Sequence, residues 1–138
     1  MTTSAEPLLL DTSAALALVL ADHEQHAVVV ASVRGLGLGL CGHAAFEVFS
    51  VLTRLPAASR LGRADAARVI ASFTHTRLLG TRAAARLLRD LPALGIAGGA
   101  VYDALVGAAA VEHELELLSL DRRAATTYRE LGVRVRML

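Results

Sequence analysis

Four carboxylates stand apart from the other acids of this chain. Asp11 closes the apolar run Leu8-Leu9-Leu10, and Glu47 lies within Ala44-Ala45-Phe46-Glu47-Val48-Phe49. Asp103 interrupts an otherwise apolar stretch, Ala100-Val101-Tyr102 and Ala104-Leu105-Val106, and Asp121 follows Leu117-Leu118-Ser119-Leu120. A carboxylate set against apolar sequence needs a cation or hydrogen-bond donors, because burying it unpaired is costly. Each of the four also has a plainer use. Asp11 and Asp121 suit helix caps. Glu47 shares a helical stripe with His43, Ser50 and Arg54, which fits a solvated face. Asp103 has small neighbours on its stripe, Gly99, Gly107 and Ala110, and one Arg would satisfy it.

Taken jointly, the four favour another reading. Carboxylates gathered at one place repel each other, and a divalent cation removes that repulsion. Oxygen donors without Cys or His suit Mg²⁺ or Mn²⁺ rather than zinc. Such an ion acidifies bound water and stabilises charge on a phosphate under attack. Metal-dependent phosphodiester hydrolysis is the chemistry these residues point to.

The elements that must position them alternate along the chain. A short strand ends at Asp11, and a helix capped by Thr12 or Ser13 runs to about Ala21. A second helix is expected over 23–34. Leu36, Leu38 and Leu40 alternate with glycines, a period of two that suits a strand. Helices follow over 43–55 and 62–75, then a short strand over 77–80. Further helices are expected over 81–91, ended near Pro92, and over 98–113. A strand over 116–120, a helix over 121–131 and a closing strand over 133–137 complete the pattern. This alternation predicts an α/β domain, one unit over 1–138, with a mostly parallel sheet of about four to five strands between helices. In such sheets functional groups gather beyond the carboxyl ends of the strands, where Asp11 and Asp121 fall.

Composition removes several alternatives. The chain has 138 residues, 54% of them hydrophobic and 20% charged, enough for a packed core. All 14 basic residues are Arg, which excludes Schiff-base and P-loop lysines. The single cysteine, Cys41, excludes an intrachain disulfide and a multi-cysteine zinc site. Net charge is only +1, so no global basic field marks a nucleic-acid binder. The lack of Trp and the few aromatics argue against a base-stacking platform. No apolar stretch is long enough to span a bilayer, and the N-terminus lacks signal-peptide features, so a cytoplasmic chain is expected.

The motifs Leu9-Leu10-Asp11-Thr12-Ser13-Ala14, an isolated Glu47, Tyr102-Asp103-Ala104-Leu105 and Ser119-Leu120-Asp121-Arg122-Arg123-Ala124 recur in order over nearly the whole chain. In them the sequence resembles the PIN-domain ribonucleases, and within these the VapC toxins of VapBC toxin–antitoxin pairs. The resemblance implies a PIN-like fold, endoribonuclease activity, an Mg²⁺ or Mn²⁺ cofactor, a VapB-type antitoxin and a homodimer. By carry-over, Asp11, Glu47, Asp103 and Asp121 form the acidic quartet. Thr12, Ser13 and Ser119 support them, with Ser119 in place of the Ser or Thr two residues before the last acid. Arg122, Arg123, Arg82 and Arg86 are candidates for contact with RNA or antitoxin. The alternative is a non-catalytic protein- or RNA-binding module on the same fold.

Other signals carry less. Gly37-Leu38-Gly39-Leu40-Cys41-Gly42 fits a dinucleotide fingerprint literally, but its glycines occupy the strand instead of following it. His23 and His26 are three residues apart, without an evident third ligand.

Overall fold

The computed structural model describes residues 5–138. Its element order is β1 (Leu8–Leu10), α1 (Thr12–Val19), α2 (His26–Val33), β2 (Leu38–Leu40) and α3 (Ala44–Thr53). There follow α4 (Arg63–Ser72), α5 (Thr81–Leu94), α6 (Ala100–Glu112), β3 (Leu117–Ser119), α7 (Arg122–Glu130) and β4 (Val135–Met137). The four strands form one sheet in the order β2-β1-β3-β4, and every pairing is parallel.

The three leucines of β1 are buried on both faces, as befits a central parallel strand. Leu8 and Leu10 pack with Ala14, Val29, Val48 and Leu52 under the helices α1, α2 and α3. Leu9 points the other way, toward Val106, Ala109, Ala124 and Tyr128 of α6 and α7. Helices therefore cover both faces of the sheet, and its carboxyl edge stays open.

Several local expectations need correction. The first helix is capped by Asp11, not by Thr12 or Ser13. Asp11 has extended backbone, and its side chain accepts from the Ala14 amide. The strand expected over 77–80 shrinks to one bridge between Cys41 and Arg77. Its backbone joins β2 only through Arg77, which bonds Leu40 O and Gly42 N; the Gly80 amide then turns to the Glu112 carboxylate. Helix α5 runs through Pro92 to Leu94. Proline in a last turn forfeits a single backbone bond, and the actual stop is Gly95 in the left-handed region. The second helix starts at His26, since His23 is spent on the turn before it, where its Nδ1 accepts from the Gln25 amide.

The glycines of β2 have a packing reason. A Cβ on Gly39 would overlap the His75 carbonyl, and one on Gly37 would strike the His75 ring. They admit the 75–77 segment alongside the strand and owe nothing to a dinucleotide.

Candidate active site

All four predicted acids begin helices. Asp11 is the N-cap of α1 and Asp121 the N-cap of α7, while Glu47 and Asp103 lie in the first turns of α3 and α6. The sheet places α1, α3 and α7 directly after β1, β2 and β3, so their amino ends meet at the carboxyl edge. Packing of α6 on α7 brings in the fourth. The partial positive charge of four helix amino ends offsets some of the repulsion among the carboxylates. A helix cap and a place in the shared cleft, alternatives in the sequence, thus fall to the same two aspartates.

Together the four acids line a cleft of about 230 Å³ with Thr12, Ser13, Val106, Arg123 and Tyr128. Asp11 lies deepest, 3% exposed. Its Oδ1 accepts from Ser13 Oγ at 2.6 Å and from the Ala14 amide at 3.0 Å. Its Oδ2 accepts from the Tyr128 hydroxyl at 2.8 Å. Burial, then the charge of Asp11, push the Tyr128 phenol far up, so it remains a donor. Ser13 Oγ also accepts from the Leu120 amide at 2.9 Å, tying α1 to the end of β3. Ser119 is fully buried and supports from below, accepting from the Asp121 amide at 3.0 Å.

The electrostatics are those of a site short of positive charge. Burial raises Glu47, opposed by His43 and then by the nearby Thr12 hydroxyl, and reinforced to a lesser degree by Asp103 and Asp11. Burial also raises Asp103, opposed by Arg123 and reinforced by Asp121 and Asp11. Arg123 is the local counter-charge, 3.2 Å from Asp121 Oδ2 and 3.9 Å from Asp103 Oδ2. This is the Arg pairing that Asp103 alone invited, but the guanidinium is 74% exposed and serves two acids.

Thr12 Oγ1 is the one buried side-chain polar atom among the described residues with no hydrogen-bond partner. An orphaned hydroxyl beside oxygen donors fits a cleft built for a hard divalent cation or its water. Among the described residues no three acids, histidines or cysteines lie close enough together to hold an ion as they stand. Both Asp11 oxygens are instead held by donors.

The other predicted arginines lie elsewhere. Arg82 and Arg86 line a separate groove between α5 and α6 with Asp90, Glu112, Glu114 and Glu130. Arg122 lines another with Leu16, His23 and Leu138. Cys41 is structural: its buried thiol donates to Val106 O, and burial pushes it up to about 12. Sequence reasoning missed Tyr128, although it falls seven residues after Asp121, on the apolar stripe with Ala124. It also passed over His43, 4.0 Å from Glu47, and Tyr102 as side chains beside the site.

No helix among the described residues is long and apolar enough to cross a membrane. The family model for the PIN domain matches residues 8–130. Ribonuclease VapC27 of Mycobacterium tuberculosis is 48% identical over 130 residues, covering 94% of this chain and 95% of the relative. Ribonuclease VapC40 of the same species is 38% identical over 130 residues, covering 93% and 96%. Among solved structures, VapBC2 of Rickettsia felis bound to a promoter DNA fragment matches with TM-score 0.64 at 9% identity, covering 96% and 98%. FitAB bound to the IR36 DNA fragment matches with TM-score 0.63 at 16% identity, covering 94% of each chain.

Proposed function

The chain belongs to the PIN-domain family, and from that premise we propose that it is a divalent-metal-dependent endoribonuclease, the toxin of a toxin–antitoxin pair. One observation carries the reading: four acids far apart in sequence line a single cleft at the carboxyl edge of the sheet. Full-length similarity to ribonucleases of the VapC kind supplies the substrate class.

Asp11, Glu47, Asp103 and Asp121 would hold Mg²⁺ or Mn²⁺, with Thr12 Oγ1 available to the ion or its water. The bound ion supplies Lewis acidity for the attack of water on a phosphodiester. The chain's own residues prepare the site. Tyr128 and Ser13 fix the Asp11 carboxylate in one orientation, as donors beyond a ligand do in metal sites. Burial raises Glu47 and Asp103, so any proton they hold must leave before a cation can bind. Arg123 offsets part of the charge of Asp103 and Asp121 and stands where an incoming phosphate would meet a guanidinium.

The protein partner is a VapB-type antitoxin, and the chain pairs with a second copy of itself. Similarity to ribonucleases of the VapC kind supports the antitoxin, and the homodimer is part of the same proposal. The nearly apolar groove between α3 and α4, with Phe49, Ile70 and Leu78, is surface that a protein partner would cover.

Incubating purified protein with RNA in Mg²⁺, Mn²⁺ or EDTA tests the activity. Cleavage should require metal and vanish in Asp11→Asn. Cleavage that persists in EDTA contradicts the reading.

A further inference from the structure

The chain has only three Phe and two Tyr. Phe73 and Tyr128 are buried, and Phe49 is partly so. The two exposed ones, Phe46 at 63% and Tyr102 at 56%, both flank the same histidine. The His43 ring lies 5.5 Å from that of Tyr102 with planes 31° apart. It lies 6.2 Å from that of Phe46 with planes 30° apart. His43 reaches Glu47 at 4.0 Å, and Tyr102 immediately precedes Asp103. Three rings therefore gather beside two of the four acids. Composition argued against a stacking surface, yet the fold collects three rings beside the acid cleft.

We propose that His43, Phe46 and Tyr102 form a ledge on which an unpaired nucleobase stacks while the adjoining phosphate occupies the carboxylate cleft. The proposal rests on the nuclease reading and deepens it by naming the strand class. Exposed rings gain little from water, whereas every nucleobase offers a π-face to them. A duplex cannot supply that face, because its bases are stacked on each other and the A-form grooves expose only their edges. The ledge therefore selects single strands or loops and tolerates any base. Phe46 also borders the apolar groove between α3 and α4, but His43 and Tyr102 do not. His43 instead reaches Glu47 of the acid cleft and carries Tyr102 against its ring, which favours the substrate over a protein as occupant.

The test uses single-stranded RNA carrying 2-aminopurine, whose fluorescence is quenched on stacking. Binding is read in Mg²⁺ with Asp11→Asn protein, alone and combined with Tyr102→Ala, Tyr102→Phe or Phe46→Ala. The substituted rings are exposed, so the variants keep their core. Quenching is expected with Asp11→Asn alone and with Tyr102→Phe, and should be lost with Tyr102→Ala. In the otherwise unaltered enzyme, Tyr102→Ala should raise KM about tenfold at unchanged kcat, and base-paired stems should resist cleavage. Parental KM and unquenched RNA would overturn the ledge while leaving the nuclease intact. Quenching by a protein that cuts no RNA would support the ledge and sink the nuclease. Alanine variants that cut and quench normally but bind a protein partner less tightly would assign the rings to that partner and overturn the proposal.

Discussion

The Tyr128 hydroxyl and the Asp11 carboxylate, 117 residues apart in sequence, meet in a 2.8 Å hydrogen bond at the floor of the acid cleft. The bond joins the helix after the first strand to the helix after the third. It also satisfies the oxygen of Asp11 that neither Ser13 nor the Ala14 amide reaches. Fold closure and site geometry therefore share one contact.

Tyr128→Phe keeps the ring in its packing and removes only the donor. The expected loss in EDTA is about 1–3 kcal/mol, the range for a buried hydrogen bond to a charged partner. Urea denaturation of parent and variant measures it. With Mn²⁺ present the gap should narrow, because a bound cation would compensate the Asp11 charge that the lost donor no longer stabilises. An unchanged midpoint in EDTA would mean that the Tyr128 bond adds nothing to stability.

Much of this arrangement was legible in the sequence, since apolar runs ending in acids mark strand ends in a parallel sheet. Asp11, Glu47, Asp103 and Asp121 all reached one cleft. The illegible parts depended on contacts distant in sequence. Tyr128 reads as an ordinary core aromatic until β1 and α7 are brought together. Arg82 and Arg86 share a helical face that the fold turns to a groove with its own acids. The edge strand at 77–80 looked apolar enough, but Leu78 is exposed and only Arg77 pairs with β2. Pro92 read as a stop because spacing cannot tell the last turn of a helix from its middle.

Protonation of the cleft sets a pH dependence. Glu47 and Asp103 are both raised by burial and by neighbouring acids. A raised carboxyl holds its proton more tightly in the folded state, so its contribution is fully present below the unfolded value, near 4, and lost as pH rises through the folded one. Metal binding runs the other way, because it needs these groups deprotonated. The Tm gained from saturating Mn²⁺ over EDTA should therefore shrink on acidification, beginning above the ordinary carboxylate range. A Tm gain independent of pH down to that range would contradict the account.

Arg123 competes with the ion for the same oxygens. Arg123→Ala should tighten Mn²⁺ binding a few-fold, a modest effect because the guanidinium is largely exposed and screened. Cleavage at saturating metal should nevertheless fall, through loss of a phosphate contact. Calorimetric titration and RNA cleavage on one preparation separate the two effects. Weaker Mn²⁺ binding in the variant would make Arg123 part of the ion's support.

The central claim is that four carboxylates distant in sequence hold one divalent-ion site. Mn²⁺ titration followed by electron paramagnetic resonance tests it most directly, on the parent and on Asp11→Asn, Glu47→Gln, Asp103→Asn and Asp121→Asn. Asp90→Asn, an exposed acid outside the cleft, is the control. The parent and control should bind alike, and each cleft variant should bind at least about tenfold more weakly, as loss of a ligand or its support requires. Parental binding in all four cleft variants, or no binding by the parent, would contradict the assignment.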